Sequence, residues 1–126
     1  MAAKRVLVVD DDPAVRLTFR LILESAGYQV SEARHGLAAL ILIKDSLPHL
    51  VITDMVMPEM GGEELIARLR NDRRTNELPI LAVTDHAGAK DQTSDADAVL
   101  EKPFDRLRLL AVVRSLIEPA GQGEPV

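Results

Sequence analysis

Three aspartates in a row, Asp10, Asp11 and Asp12, follow directly on the apolar run from Val6 to Val9, and a fourth, Asp54, follows the run from Leu50 to Thr53. Thr84 closes a third such run that begins at Ile80, and Lys102 comes shortly after a weaker one from Ala98 to Leu100. Carboxylates gathered within a few ångströms repel one another unless a cation sits among them, and an all-oxygen donor set suits a hard ion such as Mg2+. Such an ion keeps several waters and leaves positions for substrate oxygens, so the substrate expected here is a phosphoryl group. Asp54 would then act as nucleophile and form an acyl phosphate. Lys102 would neutralise the equatorial oxygens, and Thr84 would donate a hydrogen bond to one of them.

These residues can meet only if the runs that carry them lie side by side. Apolar runs without period-two alternation read as strands covered on both faces, the habit of a parallel sheet flanked by helices. Val6–Val9, Leu50–Thr53, Ile80–Thr84 and the segment around Ala98–Leu100 are four such strands, and Tyr28–Ala33 is a fifth. Helical spacing fills the intervals. The first helix has Asp12 as N-cap, Pro13 at its first position, Val15, Phe19, Ile22, Leu23 and Ala26 on one face, and Gly27 at its end. A second runs from Gly36 to about Ser46 with Leu37, Leu40, Ile41 and Ile43 available for burial, and Pro48 stops it. A third spans Gly62 to Asn71, with Leu65, Ile66 and Leu69 inward and Glu64 paired with Arg68. The last, about Asp105 to Glu118, is apolar over a wide arc from Leu107 to Ile117. That arc is expected to serve a partner or a homodimer, or else extra burial within the monomer. Alternating strands and helices with right-handed crossovers make a doubly wound α/β sandwich. In such sheets ligands bind outside the carboxyl ends of the strands, where the polar residues named above all fall.

Composition bounds the partners. The chain has 126 residues, 15 basic and 20 acidic side chains, a formal charge of −5 and no cysteine. One domain is expected over residues 1–118, with a Pro- and Gly-rich mobile tail over 119–126. Without cysteine there is no disulfide framework and no thiolate metal site. Lacking a basic cluster, the chain is expected to bind neither nucleic acid nor an anionic membrane directly. Its apolar runs are too short for a signal peptide or membrane span, so the expected location is the cytoplasm. His35, His49 and His86 are scattered and receive no chemistry, and Met55, Met57 and Met60 read as gap-filling side chains.

Taken in order, Val8-Val9-Asp10-Asp11, Asp54-Met55-Val56-Met57-Pro58 with Gly62 following, Val83-Thr84 and Lys102-Pro103-Phe104 resemble the receiver domain of two-component response regulators, over about residues 4 to 118. The resemblance implies a five-stranded sheet of order 2-1-3-4-5, an order also given by general rules for flavodoxin-like folds. It implies Asp54 as phosphoacceptor and Mg2+ held by Asp10, Asp11, the Asp54 carboxylate and the Val56 carbonyl. It further implies Lys102 against the phosphoryl group, a cis Lys102-Pro103 bond and Thr84 as the switch hydroxyl. The phosphoryl donor would be a histidine kinase or phosphotransfer protein, and the receiver would switch the binding of an output protein. It would be a signalling domain, with only self-catalysed phosphotransfer and dephosphorylation as chemistry.

Three features depart from that pattern. Only 17 residues separate Thr84 from Lys102, fewer than relatives usually have, and Asp85–Ala96 contains no bulky aliphatic residue. A fourth helix there is expected to be a short stub or an irregular loop, since a parallel crossover needs about a dozen residues or more. Asp85 occupies a place where relatives usually carry a small residue, and its charge would repel an incoming phosphate unless it points outward. Val99 replaces an aromatic side chain that often accompanies the switch in relatives. These departures motivate a second reading, a receiver-like scaffold that binds partners without phosphorylation. A third, more distant one is a haloacid-dehalogenase-type phosphohydrolase with Asp10 as nucleophile and Asp12 as acid/base, but Ala14 and the sparse acids after Lys102 fit that pattern poorly.

Overall fold

A computed structural model describes residues 3–85 and 95–118. The chain alternates β1 (Arg5–Val9), α1 (Pro13–Ser25), β2 (Gln29–Ala33), α2 (Gly36–Asp45), β3 (Leu50–Asp54), α3 (Gly62–Arg70), β4 (Ile80–Thr84), β5 (Ala98–Glu101) and α4 (Arg106–Ile117). All strand pairings are parallel, and the sheet order is β2-β1-β3-β4-β5. Successive strand residues point to opposite faces, so the central strands β1, β3 and β4 feed two cores. Leu7, Val9, Val51, Ile80 and Ala82 pack with Ala39 and Ile43 of α2 and Leu65, Ile66 and Leu69 of α3. Val6, Val8, Leu50, Ile52, Leu81, Val83 and Leu100 pack on the other side with Phe19 and Leu23 of α1 and Leu109 and Val113 of α4.

The helix starts follow the capping chemistry. Asp12 caps α1 by accepting from the Ala14 amide at 2.9 Å, with Pro13 next. Asp105 caps α4 through the Arg108 amide at 2.8 Å. Gly27 adopts φ 97°, the left-handed turn that lets the chain leave α1 for β2. Glu64 and Arg68 pair at 3.0 Å on α3.

Two burial expectations need correction, and one open choice is decided. On α2, Leu37 and Ile41 are exposed, Ile41 by 70%, while Ala39 and Ile43 carry the contact. This helix is apolar nearly all round, so its sequence gives no sign of which side faces inward. Ala26 is exposed, because α1 stops at Ser25 and Ala26 is its C-cap rather than part of its buried face. The wide apolar arc of α4 is largely taken up within the chain: Leu110, Val112, Leu116 and Ile117 pack against the second core, and Leu107 points outward. Met55 and Met60 are buried and Met57 packs beside them, as gap-fillers do. Of the Asp85–Ala96 crossover, expected to be a stub or loop, residues 86–94 lie outside the described residues, as does the expected tail over 119–126.

Candidate functional site

Strand register brings the polar residues level with one another. Val9 pairs with Thr53, so Asp10 and Asp54 emerge side by side from β1 and β3. Asp54 in turn pairs with Val83, which puts Thr84 one step beyond, and Thr84 pairs with Glu101, the residue before Lys102. The Lys102 amide donates to the Thr84 carbonyl at 2.8 Å, and the Lys102-Pro103 bond is cis. One carboxylate oxygen from each of Asp10, Asp11 and Asp54 lies within 4.8 Å of the others. Lys102 Nζ stands 3.7 Å from Asp54 Oδ1. The four charged groups thus occupy one rim, and Thr84, a buried residue, follows on the neighbouring strand.

Asp10 and Asp54 are held by local bonds. Asp10 is buried, its amide donates to the Ala33 carbonyl at 3.0 Å, and its Oδ1 accepts from the Asp12 amide at 2.9 Å. Thr53 Oγ1 donates to the Asp54 carbonyl at 2.8 Å. The loop after Asp54 folds back through Gly62, whose amide donates to the Met55 carbonyl at 3.1 Å. Within that loop, Met60 N donates to the Pro58 carbonyl at 2.7 Å around Glu59, which adopts φ 67°. This is a three-residue turn in a region that non-glycine residues rarely enter. Val56 has an exposed side chain, so what it can offer the rim is main chain.

Burial is the main cause of a raised carboxyl pKa at both Asp10 and Asp54. The Asp12 amide and Lys102 oppose the shift at Asp10, while Asp54 and Asp11 add to it. At Asp54, Lys102 and the Met55 amide oppose it, while Asp11 and Asp85 add to it. The rim is therefore short of positive charge even with Lys102 in place. Its donors are all hard oxygens, one acid is buried and two are reachable from solvent, which is the chemistry Mg2+ accepts.

Asp85 and Lys102 line one end of an open groove of about 490 Å³, continued by Val15, Phe19, Ile22 and Phe104. A second depression of about 530 Å³ borders Asp11 and is lined by Arg34, His35, Pro58 and Glu59. Sequence reasoning gave the histidines no part, yet His35 caps α2, its Nδ1 accepting from the Ala38 amide at 3.1 Å. Asp12 stays a helix cap, and His86 lies outside the described residues.

A five-stranded parallel sheet in this order, with an acidic cluster and a lysine at the carboxyl ends of its strands, defines the receiver class of signalling domain. The chain belongs to the response regulator receiver domain family, which matches residues 6–114. It is 38% identical over 117 residues to the DNA-binding dual master transcriptional regulator RpaA of Synechocystis sp., covering 90% of this chain and 48% of that one. The chain likewise spans 53% of the response regulator MprA of Mycobacterium sp., so it covers about half the length of such relatives. Among solved structures, response regulator protein TrrA from Thermotoga maritima in complex with Mg2+ and BeF superposes with a TM-score of 0.83 at 30% identity, covering 90% of this chain and 98% of that one. The chemotaxis response regulator CheY4 of Vibrio cholerae gives 0.86 at 29% identity, covering 91% and 99%. Among the described residues, no helix is long and apolar enough to cross a membrane.

Proposed function

We propose that the domain accepts a phosphoryl group on Asp54 and thereby switches the binding of a partner in two-component signal transduction. The observation that carries this reading is the joint placement of three carboxylates within 4.8 Å and of Lys102 Nζ 3.7 Å from the one at the end of β3. Asp10, Asp11, Asp54 and the Val56 carbonyl would hold Mg2+. When bound, that ion would offset the charge of the acids and of the incoming phosphoryl oxygens.

An Asp54 carboxylate oxygen would form the new bond to phosphorus. The bond from phosphorus to the donor breaks, its electron pair leaving with the donor, which for a phosphohistidine is an imidazole that takes up a proton. Lys102, already beside Asp54, would follow the new negative charge, and Thr84 would donate its hydroxyl to a phosphoryl oxygen. The Lys102 amide is bonded to the Thr84 carbonyl, so the main chains that carry the cation and the hydroxyl are already held side by side. The reading is supported by the structural likeness to TrrA, which was solved in complex with Mg2+ and BeF. The donor is a histidine kinase or phosphotransfer protein, and the output belongs to a further protein or a further part of a longer chain.

The test is incubation with Mg2+ and acetyl phosphate, followed by intact-mass analysis, alongside amide NMR with Mg2+ and beryllofluoride. One phosphoryl adduct, lost in Asp54→Asn, and shifts centred on Asp54, Thr84 and Lys102 are expected. An unmodified mass together with an unchanged spectrum would instead favour the scaffold reading, towards which the Asp85 charge near Asp54 also points.

A further inference from the structure

We propose that Arg16 is a positioning residue for the cation site, acting through the main chain of Asp10, and that Glu32 holds it in place. The inference rests on the reading of Asp10 as a Mg2+ ligand. Asp10 is the most buried acid of the rim, at 3% exposure, and comes just after the last paired residue of β1. Its N–H still finds Ala33 of β2, but its carbonyl has passed the end of the ladder. Arg16, from the second turn of α1, fills that gap: its Nη1 donates to the Asp10 carbonyl at 2.7 Å. With Oδ1 tied to the Asp12 amide, both main-chain groups and one carboxylate oxygen of Asp10 are fixed. A planar carboxylate with one oxygen fixed has little freedom left for the other.

The guanidinium is itself anchored. Arg16 Nε donates to Glu32 Oε1 at 2.8 Å, while Arg20 Nε takes Glu32 Oε2 at 2.7 Å and Arg20 Nη1 takes Glu24 Oε2 at 2.8 Å. Two arginines and two glutamates cancel in charge. What the network gives the rim is therefore geometry, delivered from β2 and α1 through one hydrogen bond to a neutral oxygen. Partners of this outer kind commonly govern how well a metal ligand is presented.

The chain's charge balance permits a clean test. Arg16→Gln with Glu32→Gln removes one positive and one negative charge and frees the Asp10 carbonyl. Arg20→Gln with Glu24→Gln makes the same change in charge one turn along and leaves the Asp10 contact alone. Mg2+ affinity of each full chain is read by amide NMR titration, with thermal unfolding beside it. The first pair should weaken Mg2+ binding by about tenfold, and the second should stay within about twofold of wild type. A merely structural part would lower the melting temperatures of the two variants without separating their affinities. Equal affinities in the two variants, or wild-type affinity in the first, overturns the proposal. A wild-type chain that binds no Mg2+ overturns it together with the site reading, which separates the two failures. Should the first variant not fold, Arg16→Lys takes its place under the same limits, because a single ammonium cannot serve the carbonyl and Glu32 through a guanidinium fork.

Discussion

Gly62 lies so close to Asp54 that a β-carbon on it would stand 2.4 Å from the Asp54 carbonyl oxygen and 2.9 Å from the Met55 α-carbon. Both neighbours are main chain and neither can rotate away. The first turn of α3 is therefore seated directly on the peptide that carries the proposed phosphoacceptor.

Gly62→Ala is expected to destabilise the domain by about 2 kcal/mol, since a buried overlap must be relieved by backbone movement. Thermal unfolding measures this, and NMR shifts should concentrate at Asp54, Met55 and the start of α3. A melting temperature equal to wild type would show that the two segments are free to part.

Asp10→Asn is expected to stabilise the divalent-free protein at neutral pH. Burial raises the Asp10 pKa above its ordinary value, so its ionised form weighs against folding. That burden is absent below the unfolded-state value and complete above the raised folded-state value. The variant should gain over wild type at pH 7 and not at pH 3. Asparagine can still accept from the Asp12 amide, and added Mg2+ should narrow the difference by stabilising wild type alone. Denaturant melts with and without Mg2+ would decide it, and a less stable variant at pH 7 would contradict the electrostatic account.

Glu32 gives the opposite pH dependence. Its pKa is lowered, first by the hydrogen bond from Arg20 and then by Arg16. The resulting stability is present above the unfolded carboxylate value and is lost as pH falls through the lowered folded value. Because the partners are partly exposed, Glu32→Gln should cost only about 1 kcal/mol at pH 7. The cost should vanish in strong acid. A difference from wild type that persists unchanged at pH 2 would rule out this origin.

Arg70 is the tie at the opposite end of the sheet. It donates to the carbonyls of Asp95, Asn76 and Leu78 at 3.0, 3.2 and 2.8 Å, and to Asp97 Oδ2 at 2.8 Å. The same Asp97 oxygen accepts from the Ile80 amide at 2.8 Å, joining the starts of β4 and β5. Arg70→Ala should cost about 2 kcal/mol through the lost charged hydrogen bonds. Amide exchange should quicken at Val99 and Leu100 before it does in β1 or β3. Uniform quickening across all strands would mean that Arg70 does not secure β5 in particular.

Much of this was legible in the chain itself. Asp12-Pro13 announces α1 because an Asx cap and a proline at the first position have a direct backbone meaning. The strands were legible because unbroken aliphatic runs of that length suit a sheet buried on both faces, and the acids after β1 and β3 gained significance from each other. Ile41 on α2 was not, since an apolar helix without a polar side offers no period to read. Neither was Arg16. Its partners Glu32 and the Asp10 carbonyl are neighbours only once β2 lies beside β1, and a carbonyl has no signature in a sequence. His35 gives no such signal either, because histidine is seldom an N-cap, although its Nδ1 can serve as an acceptor as an asparagine oxygen does.

Asp10, Asp54, Thr84 and Lys102 are drawn from four different strands, each at or just past its last pairing. No single loop owns the rim, so its assembly depends on how these strands are paired. Its ligand affinity should rise and fall with the pairing of these strands, and a cation held by the acids that follow β1 and β3 would act as a fastener between those two.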